Sequence, residues 1–443
     1  MAHCNISLWF DEIASLNNVK GSLKDIIHAY SIDMYPPMEG ILRKLFILFF
    51  SDSIFVMKIF SVVPTILMII FMSIFLSKEF SYKVSIIFLF CMLASGPIMH
   101  YSIEIRMYTW ALFFISMLIP TSWYIIKTGK TKWWLLFILS TLCAAYTHYY
   151  AALSVCIICC SLFLYIMFND RKQIKKALIT NLIVVLLYLP WVYFFVRIFK
   201  EAAKGIWIPT ITIDSVTQIL ASPFQSGTIF CTILFSFLFI SSICVFLCTI
   251  KKDAKSKFAF IGFLCSLCVM AIGVSVSLLT SPLIYDRYLF CTFGMVFFFF
   301  AVVMGGLRDI RKYGIVITAL FILSVASLST KYFIEYRENK GAVQWASFVK
   351  ECRSPEAIIF MEGLNPHIPY VIDYWFPKVS IKHYGYKNLL PSQKELANTW
   401  IIVDENEDIC CDGNIQLVGT FNPHDWYKFK IYHSNLTPGL TSK

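Results

Sequence analysis

Between residues 54 and 330 the chain is a succession of long apolar stretches separated by short polar breaks, at 54–76, 84–100, 107–126, 133–146, 149–168, 177–197, 228–250, 258–280, 288–306 and 314–330. At about 1.5 Å of rise per residue, they cover most or all of a hydrocarbon layer about 30 Å thick. Each is expected to be a helix crossing a membrane, because a helix satisfies its own backbone hydrogen bonds where no water can. Composition agrees: with 58% hydrophobic and 15% charged residues among 443, the chain is too apolar for an ordinary soluble protein.

The breaks differ sharply in charge. Loops 77–83, 127–132, 169–176, 251–257 and 307–313 hold sixteen Lys and Arg, whereas the other loops between spans hold about four. By the positive-inside rule the first set is cytoplasmic, which puts 1–53, 101–106, the turn at 147–148, 198–227, 281–287 and everything after 331 outside. The formal charge of +11 is thus a topology signal, and no nucleic-acid partner is expected. Eleven of the fifteen cysteines fall within the apolar stretches, where they act as small hydrophobes.

The ends have a different character. Residues 1–37 are polar and aromatic, and 38–50 is apolar but short and charged, as in an interfacial or re-entrant helix. After about 331, short β-rich runs and one helical spacing replace the long apolar stretches. Strands are expected at 357–361, 379–383, 400–403, 416–421 and 427–432, with a helix over 341–352. The expected fold is a polytopic α-helical membrane protein with a small C-terminal soluble α/β domain. Its divisions are 1–53, an outer loop with interfacial helices; 54–332, a transmembrane domain of about ten helices; and 333–443, the soluble domain.

Chemistry-bearing residues gather on the face assigned to the outside. Tyr101-Ser-Ile-Glu-Ile-Arg-Met-Tyr108 sets Glu104 and Arg106 two residues apart at a membrane mouth, where charges face a wet cavity, a partner or substrate, or snorkel from a polar turn. Asp11 and Glu12 follow Trp9-Phe10; a carboxylate among aromatics suits a general base, and the same pair suits a helix start. Asp33-Met-Tyr-Pro-Pro37 is a rigid extended element. In Tyr146-Thr-His-Tyr-Tyr150, His148 could be a metal ligand, a proton donor, a phosphate contact or part of an aromatic belt. Tyr285-Asp-Arg-Tyr288 repeats the pairing of acid and arginine, and Arg287 either meets a phosphate or snorkels.

In these marks and their order, with Trp207-Ile-Pro209 in the large loop, the chain resembles, almost end to end, the GT-C fold membrane glycosyltransferases of the dolichyl-phosphate-mannose protein mannosyltransferase and aminoarabinose lipid A transferase superfamily. The resemblance implies a sugar transferase of the bacterial plasma membrane. A polyprenyl-phosphate-linked donor, bound among membrane lipids, would give its sugar, with inversion, to a lipid, glycan or protein acceptor outside the cytoplasm. On matching positions Asp11 would be the catalytic base, with Glu12 and Glu104 as supporting acids that orient the acceptor or hold a divalent metal ion. Arg106, Arg287 and Tyr288 would contact the donor phosphate, and His148, Tyr149 and Asp33 would line the pocket.

Two departures stand out. Tyr35 precedes the double proline and Met38-Glu39 follows it, where relatives carry His and Leu-Tyr. Relatives also have a span before the Asp-Glu loop, so an upstream coding segment of about 20 apolar residues is expected. A lipid-linked oligosaccharide flippase or transporter would carry charges midway along spans and internal repeats, and these are not evident here. An O-antigen-type ligase or polymerase is the nearby enzymatic alternative.

Overall fold

The computed structural model describes residues 7–33, 35–202, 208–248, 253–352, 355–361, 363–383, 398–409, 415–424 and 427–434. Trp207 of the expected Trp207-Ile-Pro209 mark lies outside the described residues. The chain divides into two compact units, 18–331 and the pair of segments 1–17 and 332–443. Helix α1 (Phe10–Asn17) belongs to the second.

In the 18–331 unit, α2 (Leu23–Ile32) begins at a capping box: Ser22 N donates to Asp25 Oδ2 at 2.8 Å, and Asp25 N donates to Ser22 Oγ at 3.4 Å. Helix α3 (Met38–Phe49) occupies the segment expected to be interfacial and leaves Leu45, Leu48 and Phe49 exposed. Then come α4 (Ile54–Glu79), α5 (Tyr82–Ala94), the short α6 (Gly96–Tyr101), α7 (Tyr108–Thr128), α8 (Thr131–Ala145), α9 (Tyr149–Asn169), α10 (Ile174–Ala202), α11 (Ile213–Ala221) in the large loop, α12 (Ile229–Cys248), α13 (Ala254–Leu279), α14 (Phe293–Gly305) and α15 (Ile310–Glu351). All ten apolar stretches are helical at their centres. Among the described residues, seven helices are long and apolar enough to cross a membrane, whereas α5, α8 and the segment ending in α14 are shorter.

The stretch 84–100 is not one helix. Pro97 has no N–H to offer the residue four back, so α5 stops at Ala94 and the chain restarts as α6, with Gly96 N donating to Gln225 O at 2.7 Å. At the centre stands α14, whose thirteen residues are all buried. Phe297 stacks on Phe235 of α12 at 5.8 Å, Phe299 on Phe263 of α13 at 5.1 Å, and Phe298 meets Phe80 edge-on at 5.3 Å. Gly294 and Gly305 permit this closeness, since a Cβ on the first would fall 2.1 Å from Ser116 Oγ and on the second 2.6 Å from Val84 Cγ2. The outer surfaces remain apolar: α10 exposes Leu178, Leu182, Val185, Leu186 and Leu189. Exposed apolar surface on this scale is compatible with hydrocarbon as the surrounding solvent.

The other unit contains α1, the end of α15, β1 (Ala357–Phe360), α16 (Ile368–Trp375), β2 (Ser380–His383), β3 (Thr399–Asp404), β4 (Ile415–His424) and β5 (Tyr427–Ser434). The five strands match the expected β runs to within a few residues. They order as β2-β1-β3-β5-β4, with β1 parallel to both neighbours and β5 antiparallel to β3 and β4. Trp345 on α15 fills the core, edge-on to Phe421 at 5.4 Å and Phe429 at 5.5 Å. The helix expected over 341–352 is the last part of α15. Gly341 lets it close on β4, because a Cβ there would meet Asn422 O at 2.0 Å.

Candidate active site

Helix α6 ends at Tyr101, and residues 102–107 form a compact turn before α7. Its tightest point is Ile105, where Arg106 N donates back to Glu104 O at 2.7 Å, a three-residue turn with the isoleucine side chain fully buried. Turning the chain there draws both flanking charges inward, leaving Glu104 only 6% and Arg106 only 4% exposed. The Arg106 guanidinium carbon lies 4.5 Å from the centre of the Tyr35 ring. Stacking occupies the flat face of a guanidinium and leaves its fork of N–H donors to hydrogen bonds. Glu104 has His100 as a neighbour, Oε2 to Nε2 at 3.9 Å.

His148 begins α9. Its Nδ1 accepts from Tyr150 N at 3.2 Å, so the side chain caps the helix, and a neutral ring that accepts at Nδ1 carries its proton on Nε2 as a donor. Four tyrosines surround the ring, with centroids at 5.9 Å for Tyr35, 6.0 Å for Tyr108, 6.1 Å for Tyr150 and 5.4 Å for Tyr288. Burial first, and then the Arg106 and Arg287 guanidiniums, push the imidazole down to about 3. At neutral pH the ring is an uncharged donor beside two cations.

The third element is the 3₁₀ turn Asp286–Tyr288. Arg287 lies 5.5 Å from the Tyr285 ring, 5.9 Å from Tyr288 and 6.0 Å from Tyr108, so aromatic faces hold it as they hold Arg106. Arg287 N donates to Asp286 Oδ1 at 2.6 Å, yet burial outweighs that bond and raises the Asp286 carboxyl. Burial also lifts Tyr101 well above the ordinary phenol range, reinforced by Asp286 and Glu104. Two guanidiniums, a neutral imidazole donor and several phenols on one patch are a set of groups suited to an oxyanion such as a phosphate ester.

Two further candidates make contacts of their own. Tyr149 turns to α10, where its hydroxyl accepts from Trp191 Nε1 at 3.4 Å and its ring meets Phe195 at 5.1 Å. It is Tyr150 that joins the box around His148. Asp33 ends α2 and accepts from Asn18 Nδ2 at 2.8 Å.

Asp11 and Glu12 belong to the other unit. Ser7 Oγ donates to Pro423 O at 2.8 Å, Phe10 N donates to Tyr427 Oη at 2.7 Å, and the Phe10 ring packs on His367 at 4.5 Å and Tyr370 at 4.9 Å. Glu12 reaches back to accept from Trp9 N at 3.2 Å, as a carboxylate in the first turn of a helix does, and is buried; Asp11 beside it is half-buried.

Sequence reasoning passed over Tyr35, Tyr108 and the pair Glu39 and Arg43. Tyrosines flanking each charged motif were a signal for the first two. For the pair the only signal was an acid and a base four residues apart on a short apolar helix. Among the described residues no group of three or more His, Cys, Asp or Glu comes together to hold a metal ion.

No protein-family model matches the sequence. No curated protein matches it. Solved structures do. The apo crystal structure of ArnT from Cupriavidus metallidurans superposes with a TM-score of 0.66 at 9% identity, over 98% of this chain and 96% of that one. ArnT from the same organism bound to undecaprenyl phosphate gives 0.65 at 9% identity, over 97% and 95%. The GT-C architecture read from the sequence marks is therefore borne out as a fold, shared with ArnT across nearly the whole of both chains.

Proposed function

We propose that the chain is an integral-membrane glycosyltransferase that takes its sugar from a polyprenyl-phosphate-linked donor. The observation that carries this reading is the pair of guanidiniums, the buried Arg106 and the half-buried Arg287, near the neutral His148 within a wall of tyrosines. The shared fold supports it, since one of the similar ArnT structures holds undecaprenyl phosphate. The loop charges favour an outer-facing site on a bacterial plasma membrane.

In this mechanism the acceptor, a hydroxyl or amine of a lipid, glycan or protein, attacks the anomeric carbon opposite the phosphate. Asp11 takes the proton as the new bond forms. The bond from the sugar to the phosphate oxygen breaks, its electron pair leaves with the lipid phosphate, and the configuration inverts. Arg106 and Arg287 stabilise the charge that develops on that phosphate, with the Tyr288 hydroxyl and His148 Nε2–H as further donors. Donors fixed beforehand do this without reorganising in the transition state, the larger share of catalysis in such sites. Glu104 orients the acceptor.

The test supplies membranes containing the protein with a panel of radiolabelled polyprenyl-phosphate sugars. Label should move from one of them into a lipid, glycan or protein fraction, and the Arg106→Ala Arg287→Ala protein should not move it. Equal transfer by the doubly substituted protein would refute the assignment.

A further inference from the structure

Helix α3 carries a buried ion pair that the proposed reaction leaves unused. Glu39 and Arg43 face each other one helical turn apart, Arg43 with no exposure at all. Tyr30 Oη donates to Glu39 Oε2 at 3.2 Å, and Arg43 Nη2 donates both to Glu39 and, at 3.2 Å, to the carbonyl of Ile105. Arg43 Nε and Nη1 make no hydrogen bond among the described residues. Desolvating two charges usually costs about what their attraction returns, and an apolar pair of equal volume is often as stable or more so. Stability is thus a poor reason for this pair.

Direction is a better one. Ile105 is the centre of the three-residue turn between Glu104 and Arg106, so its carbonyl sets the peptide plane from which the Arg106 side chain departs. The start of the same helix is tied to the His148 turn, Met38 N donating to Tyr146 O at 2.9 Å. One helix therefore holds two of the three segments that make the site. We infer that Arg43, braced by Glu39 and Tyr30, is a positioning residue that aims Arg106 by holding the Ile105 carbonyl.

The inference rests on the phosphate role proposed for Arg106, and a double-mutant cycle separates the two. Full-length protein in detergent is titrated with undecaprenyl phosphate, with binding followed by intrinsic tryptophan fluorescence and thermal unfolding recorded alongside. The Glu39→Met Arg43→Met protein should unfold no earlier than wild type and bind about tenfold more weakly, the scale of one lost hydrogen bond to a charged group. Adding those changes to Arg106→Ala should weaken binding no further, because the pair acts only through that residue. Tyr30→Phe, which removes a single hydroxyl, should weaken binding by about two- to threefold, again only while Arg106 is present.

A folded Glu39→Met Arg43→Met protein with wild-type affinity would overturn the inference, as would effects that add to that of Arg106→Ala. If the doubly substituted protein does not fold, the Tyr30→Phe cycle decides alone. Wild-type affinity in Arg106→Ala would instead overturn the phosphate role itself.

Discussion

The Arg106 guanidinium sits 4.5 Å from the centre of the Tyr35 ring, and that ring in turn stacks on His148 at 5.9 Å. Tyr35 therefore ties the charge of one loop to the imidazole of another. Contacts of this kind are worth about 0.5–2 kcal/mol, depending on how dry they are. Tyr35→Phe keeps the ring and should bind undecaprenyl phosphate within about twofold of wild type, whereas Tyr35→Leu should bind it about fivefold more weakly. Equal affinities in a titration would show that the ring face does not hold Arg106.

The proposed function gives Asp11 and Arg287 different steps, and kinetics would separate them. Asp11→Asn preserves shape but cannot take a proton, so kcat should fall by about 10²- to 10⁴-fold with little change in undecaprenyl phosphate affinity. Arg287→Ala removes a fork of donors, and the loss should appear first in that affinity. Wild-type turnover by Asp11→Asn at equal expression would leave Asp11 as a residue of the helix start alone.

Acid should loosen the fold through His148. Its imidazole is held down to about 3 in the folded protein, against about 6.5 in an unfolded chain. Between those values the unfolded chain binds the extra proton, so the stabilisation is complete above about pH 6.5 and lost as pH falls, by about 1.4 kcal/mol per unit. At pH 5 the loss is about 2 kcal/mol. The unfolding temperature of the wild type should therefore drop more between pH 7 and pH 5 than that of His148→Asn, which keeps a helix-capping side chain without the titration. Parallel pH profiles for the two proteins would contradict this.

Tyr427 holds the Asp11 segment by accepting from Phe10 N. Tyr427→Phe leaves that N–H without its acceptor, a local cost of about 1–3 kcal/mol. Amide exchange over residues 7–17 should quicken by about tenfold or more, and turnover should fall while undecaprenyl phosphate affinity holds. Faster exchange with unchanged turnover would separate the segment from the reaction.

Charge set into apolar sequence marked Glu104, Arg106, His148 and Arg287 as candidates beside their structural uses, and the fold brings Arg106, His148 and Arg287 against one set of tyrosines. The tail strands were legible from runs such as Trp400-Ile-Ile-Val403. What sequence reasoning missed depends on long-range packing. Glu39 and Arg43 read only as charges on a short interfacial or re-entrant helix, and packing against Tyr30, Phe60 and the Ile105 turn accompanies their burial. Tyr149 and Tyr150 are neighbours in sequence, and the 100° step between them sends one to α10 and the other to His148. The helical spacing expected over 341–352 begins at Gly341, but contact with β4 requires a missing side chain there within a continuing helix.

The three short helices of the bundle, α5, α8 and α14, have 13, 15 and 13 residues. These lengths amount to about 20 Å each, some 10 Å less than a hydrocarbon layer. Each adjoins one of the site segments: 95–107, 146–148 or 286–292. Irregular backbone at that depth persists only under cover of protein or facing water. On the proposed function, a site at the ends of such short helices is one that a lipid phosphate would reach by moving sideways in its own leaflet, with its tail still in oil.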